Sequence, residues 1–393
     1  MRFSAIFATL AVVLAVSLDT ALAAPSALRE VERFAGQTTG KYIVKLKPGV
    51  SRKQWIQRLK LTSAVDWALV NGFASNLDEN ALNTLRASSD VEVIAEDGIM
   101  HITESITQTD APWGLQRIGQ PEKLRSTNTG DLTYTYTYDE SAGTGVDIYI
   151  AATGVFVNHT EFNGRARWGG TFGVTGTTDG HGHGTHVAGT AAGTKFGVAK
   201  NASIIAVKVL SDGGSGSVSG IVSGLNWVAE QVQASGRPSI VSMSLGGGAN
   251  SVLDGGVASL TAAGIHVTVA AGNDNWDAIN TSPARTPSAI TVGASTITDT
   301  KASFSNYGSI VDIFAPGQNV ISSWIGSTTA TNNISGTSMA TPHIAGLVAY
   351  LIGKDGNASP AEIEAKIKAI GVTGVLTGIP SGTINNLAQI GPL

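Results

Sequence analysis

The sequence predicts an α/β protein: a doubly wound, mostly parallel sheet flanked by helices, preceded by a small α+β domain. Three observations carry that expectation. Short apolar, β-rich runs alternate with helical stretches from Pro112 onward, the order that builds a parallel sheet with crossover helices. Several of those runs lack polar alternation, as strands covered on both faces do. The 393 residues include 48 glycines and only 14% charged side chains, which suits a compact, loop-rich chain.

Taken in order, residues 1–23 have a basic start (Met1-Arg2), an apolar run from Ala5 to Val16, and the small-x-small triplet Ala21-Leu22-Ala23. That is a secretory signal pattern, and the run is too short for a membrane span. The mature chain is therefore expected outside the cell, with no membrane partner. A net charge of −4 argues against nucleic acid as a partner. With no cysteine, disulfide and thiolate chemistry are excluded. Sequons at Asn158, Asn201, Asn280, Asn333 and Asn357 permit glycosylation.

Residues 24–105 read as a separate unit. Lys41 to Leu46 alternates like a half-buried strand and stops at Pro48-Gly49. A helix is expected over Val50–Leu61, strands over Val70–Leu77 and Val91–Glu96, and a helix over Glu79–Leu85. These give a β-α-β-β-α-β unit. The stretch Ile99–Thr109 is polar and aperiodic, as a processing point would be.

The larger unit, residues 106–393, supplies strands over Val146–Ile150, Ile204–Leu210, Ile240–Leu245, Val267–Ala271 and Ile290–Ala294. Helices are expected over His183–Gly193, Ser219–Ala234 and Leu253–Ala263. In such sheets a site lies at the carboxyl ends of the strands. Three junctions there carry chemistry. Gly336-Thr337-Ser338-Met339-Ala340-Thr341-Pro342-His343 is a glycine turn into a buried apolar helix beginning near Ser338, with Pro342 in its first turn. Unpaired N–H groups and positive dipole there suit a developing oxyanion, although a lone serine at a helix start is more often only a cap. Asp179 to Gly189 holds His181, His183 and His186, which invites a metal reading, but no acidic ligand shares that helix face. Asn273 follows a buried strand in Ala270-Ala271-Gly272-Asn273 and is equally at home as a turn residue.

Together, G-H-G-T-H-V-A-G, A-A-G-N and G-T-S-M-A-T-P-H, in that order, resemble the signature of subtilisin-like serine proteases. Ala111-Pro112-Trp113-Gly114-Leu115, Ser244-Leu245-Gly246-Gly247-Gly248 and Phe304-Ser305-Asn306-Tyr307-Gly308 are similar to the proteinase K branch. The resemblance implies a subtilisin-like fold over roughly residues 106–393 and an inhibitory, chaperone-like propeptide over 24–105. It makes Ser338 the nucleophile, His183 the general base, and Asn273 the amide donor to the oxyanion, with His186 structural. Gly216, Ser217 and Val218, with Ser244, Leu245 and Gly246, would be the edge strands that clamp an extended peptide. Ala270, Ala271 and Gly272 would line the pocket for the side chain before the cut. Their small neutral walls, with no acid in evidence, imply apolar or aromatic preference. A structural calcium ion is implied on the carbonyls of Pro287 and Ala289 and the carboxylate of Asp312. Partners are expected to be protein substrates and the chain's own propeptide, and the protein is expected to be a monomer.

One element departs from the pattern. Where the family has Asp-Thr-Gly at the end of the first central strand, this chain reads Ala152-Thr153-Gly154. Asp147 lies near the strand's start, roughly 16 Å away, and Asp179 has its own place in the histidine loop. The missing carboxylate would hold the imidazole tautomer and stabilise imidazolium. Two functions follow: a secreted endopeptidase made as a zymogen with impaired turnover, or a non-catalytic peptide-binding relative.

Overall fold

The computed structural model describes residues 28–34, 38–98 and 105–392. The expected signal segment lies outside them. By its internal contacts the chain divides into a small unit that ends at Asp97 and a large one from Gly98 to Leu393.

The small unit runs β1 (Thr38–Leu46), α1 (Arg52–Arg58), β2 (Val65–Trp67), β3 (Gly72–Ser75), α2 (Glu79–Arg86) and β4 (Val91–Gly98). This is the expected β-α-β-β-α-β order, with the strands side by side as β2-β3-β1-β4. Each helix starts where a side chain takes up an orphan N–H: Ser51 accepts from Gln54 and Asp78 from Ala81. Their apolar faces close a core of Val44, Leu46, Trp55, Phe73, Leu85, Val91 and Ile94. The expected strand over Val70–Leu77 shortens to β3, because Asn71 takes a left-handed φ of 48° in the turn before it.

The large unit opens with β5 (Ser105–Ala111), α3 (Trp113–Gly119) and β6 (Tyr134–Asp139). The aperiodic stretch ending at Thr109 is thus partly a strand. β5 pairs antiparallel with β6, and the Thr107 and Thr137 hydroxyls bond across it at 3.0 Å. Its exposed polar faces explain why no apolar period marks it. Residues 99–104, the rest of the expected processing stretch, lie outside the described residues.

The sheet and its helices follow. They are β7 (Asp147–Ala152), β8 (Ala166–Thr171), α4 (His183–Ala192), β9 (Ser203–Lys208), α5 (Val218–Ser235), β10 (Ser239–Met243), β11 (Gly247–Gly248), α6 (Ser251–Ala262) and β12 (His266–Ala270). Then come β13 (Thr281–Ser282), β14 (Ile290–Ser295), β15 (Ile313–Pro316), β16 (Val320–Ser323) and β17 (Thr331–Ile334). The chain ends with α7 (Thr337–Asp355), α8 (Pro360–Ile370), β18 (Val372–Thr373) and β19 (Asn386–Leu387).

The nine-stranded sheet has the order β18-β19-β15-β14-β12-β10-β7-β9-β8. All its neighbours run parallel except the edge pair β18–β19. β7 shows why the central strands read as unbroken apolar runs. Its Ile148, Ile150 and Ala152 join the core under α4 and α7, while Tyr149 and Ala151 join the core under α5 and α6. Period-two side chains therefore meet a helix layer on either face. Ala152 is fully buried on the face that carries α4 and α7.

Pro342 is the sixth residue of α7, not part of its first turn as expected. At that depth its missing N–H leaves the carbonyl four residues earlier, that of Ser338, without its helical donor.

Candidate active site

The carboxyl ends of β7, β10 and β12 and the amino ends of α4 and α7 converge. Ala152 ends β7, His183 opens α4, Ser244 follows β10, Asn273 stands three residues beyond β12, and Ser338 is the second residue of α7. The approach of α4 to the β7 turn depends on Gly184. A Cβ there would lie 1.9 Å from the Gly154 carbonyl and 3.2 Å from Ala152 Cβ. Only a glycine permits that contact.

The serine and asparagine loops are held together by Thr337. Its N–H and hydroxyl both donate to Asn273 Oδ1, at 2.8 and 2.9 Å, and its Oγ1 accepts the Gly272 N–H at 3.2 Å. With its oxygen so fixed, Asn273 presents its Nδ2 as the available donor. Nothing in the sequence singled out Thr337, because its role depends on a loop 64 residues away in the chain.

Ser338 is anchored at the same point. Its hydroxyl donates to the Ser244 carbonyl at 3.4 Å, and the Ser244 hydroxyl donates back to the Ser338 carbonyl at 2.8 Å. The second bond fills the vacancy left by Pro342. Ser338 is not hydrogen-bonded to His183 here, a looseness common in free enzymes before substrate enters.

His183 is half-buried, and its Nδ1 is sealed from solvent with no hydrogen-bond partner among the described residues. Burial, with a smaller push from neighbouring His181 and an opposing pull from Asp179, lowers its pKa to about 4. Among the described residues, no nearby acid takes the place of the missing one. Asp179 Oδ1 accepts from Thr153 Oγ1, His181 N–H and Gly182 N–H, and its Oδ2 from the N–H and hydroxyl of Thr185. Asp147 pairs with Arg237 at 2.9 Å at the start of β7. Asp212 pairs with Lys208 at 2.7 Å and accepts the Gly180 N–H. His186 is structural as expected, its Nε2 set 3.0 Å from the Val320 carbonyl inside the core.

Two cavities flank these residues. One, of about 470 Å³, is lined by His183, Gly216, Val218, Ser244, Leu245 and Gly246. The other, of about 330 Å³, is lined by Ala270, Gly272, Asn273, Asp274, Trp276 and Ser338, among others. Three expectations need correction. Neither Gly216–Val218 nor Ser244–Gly246 is an edge strand: Gly216 and Ser244–Gly246 are irregular chain, Ser217 caps α5 through the Gly220 N–H, and Val218 is the first helical residue. A serine before a helical run is as good a cap as a strand residue. Ala271 does not line the pocket; just beyond β12, it is fully buried in the core with Phe314 and Leu387. The pocket also has an acid, since the exposed side chain of Asp274 stands at its wall.

Of the positions implied for calcium, Asp312 already holds a cation. Asp312 Oδ1 is 2.6 Å from Lys368 Nζ, and its Oδ2 accepts the Thr291 N–H at 2.8 Å. As they stand, the Asp312 oxygens do not fit a calcium ion.

A sequence model described as the subtilase family matches residues 143–373. A cuticle-degrading protease of Metarhizium anisopliae is 46% identical over 397 residues, which span all of both chains. Alkaline serine protease ver112 of Corniculantispora psalliotae is 46% identical over 385 residues, 96% of this chain and 98% of that one. Among solved structures, a cold adapted subtilisin-like serine proteinase matches with a TM-score of 0.65 at 41% identity, covering 72% of this chain and 100% of that one. A serine at the head of a buried helix, a histidine at the head of its neighbour and a likeness along the whole length lead to one conclusion: the chain belongs to the subtilase family of serine proteases.

Proposed function

We propose that the chain is a secreted endopeptidase, made as a zymogen, whose turnover is severely slowed by Ala152. Ser338 attacks the scissile carbonyl. The Asn273 amide and the Ser338 N–H at the start of α7 receive the oxyanion. His183 takes the serine proton through Nε2 and passes it to the leaving amine. An extended peptide lies between Gly216 and the Ser244–Gly246 segment. Neither segment is paired as a strand among the described residues, so their backbone groups are open to β-augmentation. Residues 24–105 act as the propeptide, and a single copy of the mature chain is the working unit.

The observation that carries the slowed reading is the orphaned His183 Nδ1. An unpartnered Nδ1 leaves the tautomer unfixed and the imidazolium without a counter-charge. In a subtilisin, losing the triad carboxylate alone costs about 3 × 10⁴ in kcat, equivalent to roughly 6 kcal/mol of barrier. The oxyanion hole and binding still leave about 10³–10⁴ over water. The same orphan supports the second reading, a peptide-binding relative without turnover. Fluorophosphonate labelling separates them: the endopeptidase labels at Ser338 and releases a processed form, whereas the non-catalytic relative does neither.

The second cavity favours apolar and aromatic side chains before the cut, through Ala270, Gly272 and Trp276. Asp274 adds a place for a lysine or arginine at its exposed wall.

A further inference from the structure

The carboxylate implied as a calcium ligand is engaged on both oxygens. Lys368, near the end of α8, places its Nζ 2.6 Å from Asp312 Oδ1 and 2.6 Å from Glu364 Oε1 one turn earlier. The second oxygen, Oδ2, accepts from Thr291 N–H at 2.8 Å, beside the backbone bond from Asp312 N–H to the Thr291 carbonyl. The Asp312 side chain is 15% exposed and that of Lys368 34%, so this is a partly sheltered cluster and not a surface pair.

A calcium ion must sit about 2.3–2.6 Å from its oxygens and gather six to eight of them. An ammonium at the same carboxylate oxygen competes for that space and repels a divalent ion. The lysine also meets the site's main electrostatic need. It sets a positive charge between two acids and ties α8 to the segment that enters β15. A lysine suits this because its stem carries a compact charge with three donors to the two carboxylates. No free calcium is then needed to join these elements.

We propose that Lys368 is a tethered replacement for the structural calcium ion, supplying at Asp312 the positive charge that the family resemblance assigns to a metal on Pro287, Ala289 and Asp312. The proposal concerns stability, so it holds whether or not the active site turns over.

The test is the thermal midpoint of the secreted full chain in excess EDTA and in excess calcium chloride, with calcium titration calorimetry beside it. For the parent, the midpoint is expected to be the same in both buffers, with no calcium heat that depends on Asp312. Lys368→Met keeps the apolar stem and removes the charge. It is expected to have a lower midpoint in EDTA and to regain part of that loss in calcium. Lys368→Arg, which keeps a charge, is expected to stay close to the parent. If Lys368→Met does not accumulate, the parent's calorimetry decides the matter alone. A parent that loses midpoint in EDTA, regains it in calcium and has this response abolished by Asp312→Asn overturns the proposal. So does a Lys368→Met chain that matches the parent in both buffers.

Discussion

At residue scale, the chemistry turns on how the side chains around His183 are shared out. A carboxylate at position 152 would face the core under α4 and α7, beside the start of the histidine helix. Asp179, which is close by, has five donors of its own and no reason to leave them. With a pKa of about 4, the His183 ring is neutral across the working range but is a weak proton acceptor there. Asp274 gives a second residue-scale prediction. Its exposed carboxylate attracts a basic side chain only through screened solvent, an effect on the order of 0.2–1 kcal/mol. Asp274→Asn should therefore lower kcat/KM for a lysyl substrate no more than severalfold, with a phenylalanyl substrate unaffected. Equal changes on both would remove Asp274 from the specificity pocket.

At the scale of the element, α7 is the informative case. The apolar run from Met339 to Leu351 is legible in the sequence as a buried helix, and its expected start near Ser338 lies within a residue of the observed one. What the sequence did not reveal is that Pro342 stands deep enough to free the Ser338 carbonyl, and that Ser244 fills the gap from β10. That pairing spans 94 residues and has no local period. Removing the hydroxyl leaves a partly buried carbonyl unpaired, at up to about 1–3 kcal/mol. Ser244→Ala should lower the midpoint and, in an Ala152→Asp background, reduce kcat more than it changes KM. Ser244→Thr, which keeps the donor, should recover much of the loss. A Ser244→Ala chain with unchanged kcat would show that the nucleophile is positioned without this bond. The same limit on legibility explains Ser217 and Ala271. A serine ahead of a helix and an alanine after a strand have the same residue types whether they face a groove, cap a helix or enter the core.

At the scale of the whole molecule, the doubly wound sheet was readable because its strands are apolar on both faces and separated by helical runs. Strand β5 was not, since its mostly exposed, polar residues carry no apolar period. The fold also buries histidines in neutral form. Burial lowers His183 and His343 to about 4 and His186 to about 3, from an ordinary value of 6.5. Between pH 6.5 and 4 the unfolded chain therefore binds more protons than the folded one. Stability must fall as the pH drops through that window, the reverse of the direction for a histidine held by an acid. Thermal midpoints measured from pH 7.5 down to 4.5 should decline steadily below 6.5. A flat profile over that range would contradict the burial of these rings.

The central claim is that this is a complete subtilase site lacking one carboxylate. Its most direct test is the hydrolysis rate of a chromogenic peptide by the processed chain, measured beside its Ala152→Asp variant. The account predicts a rise in kcat on the order of 10⁴, with KM little changed because the groove is untouched. A variant no faster than its parent would mean that position 152 does not serve His183, and the assignment would fail.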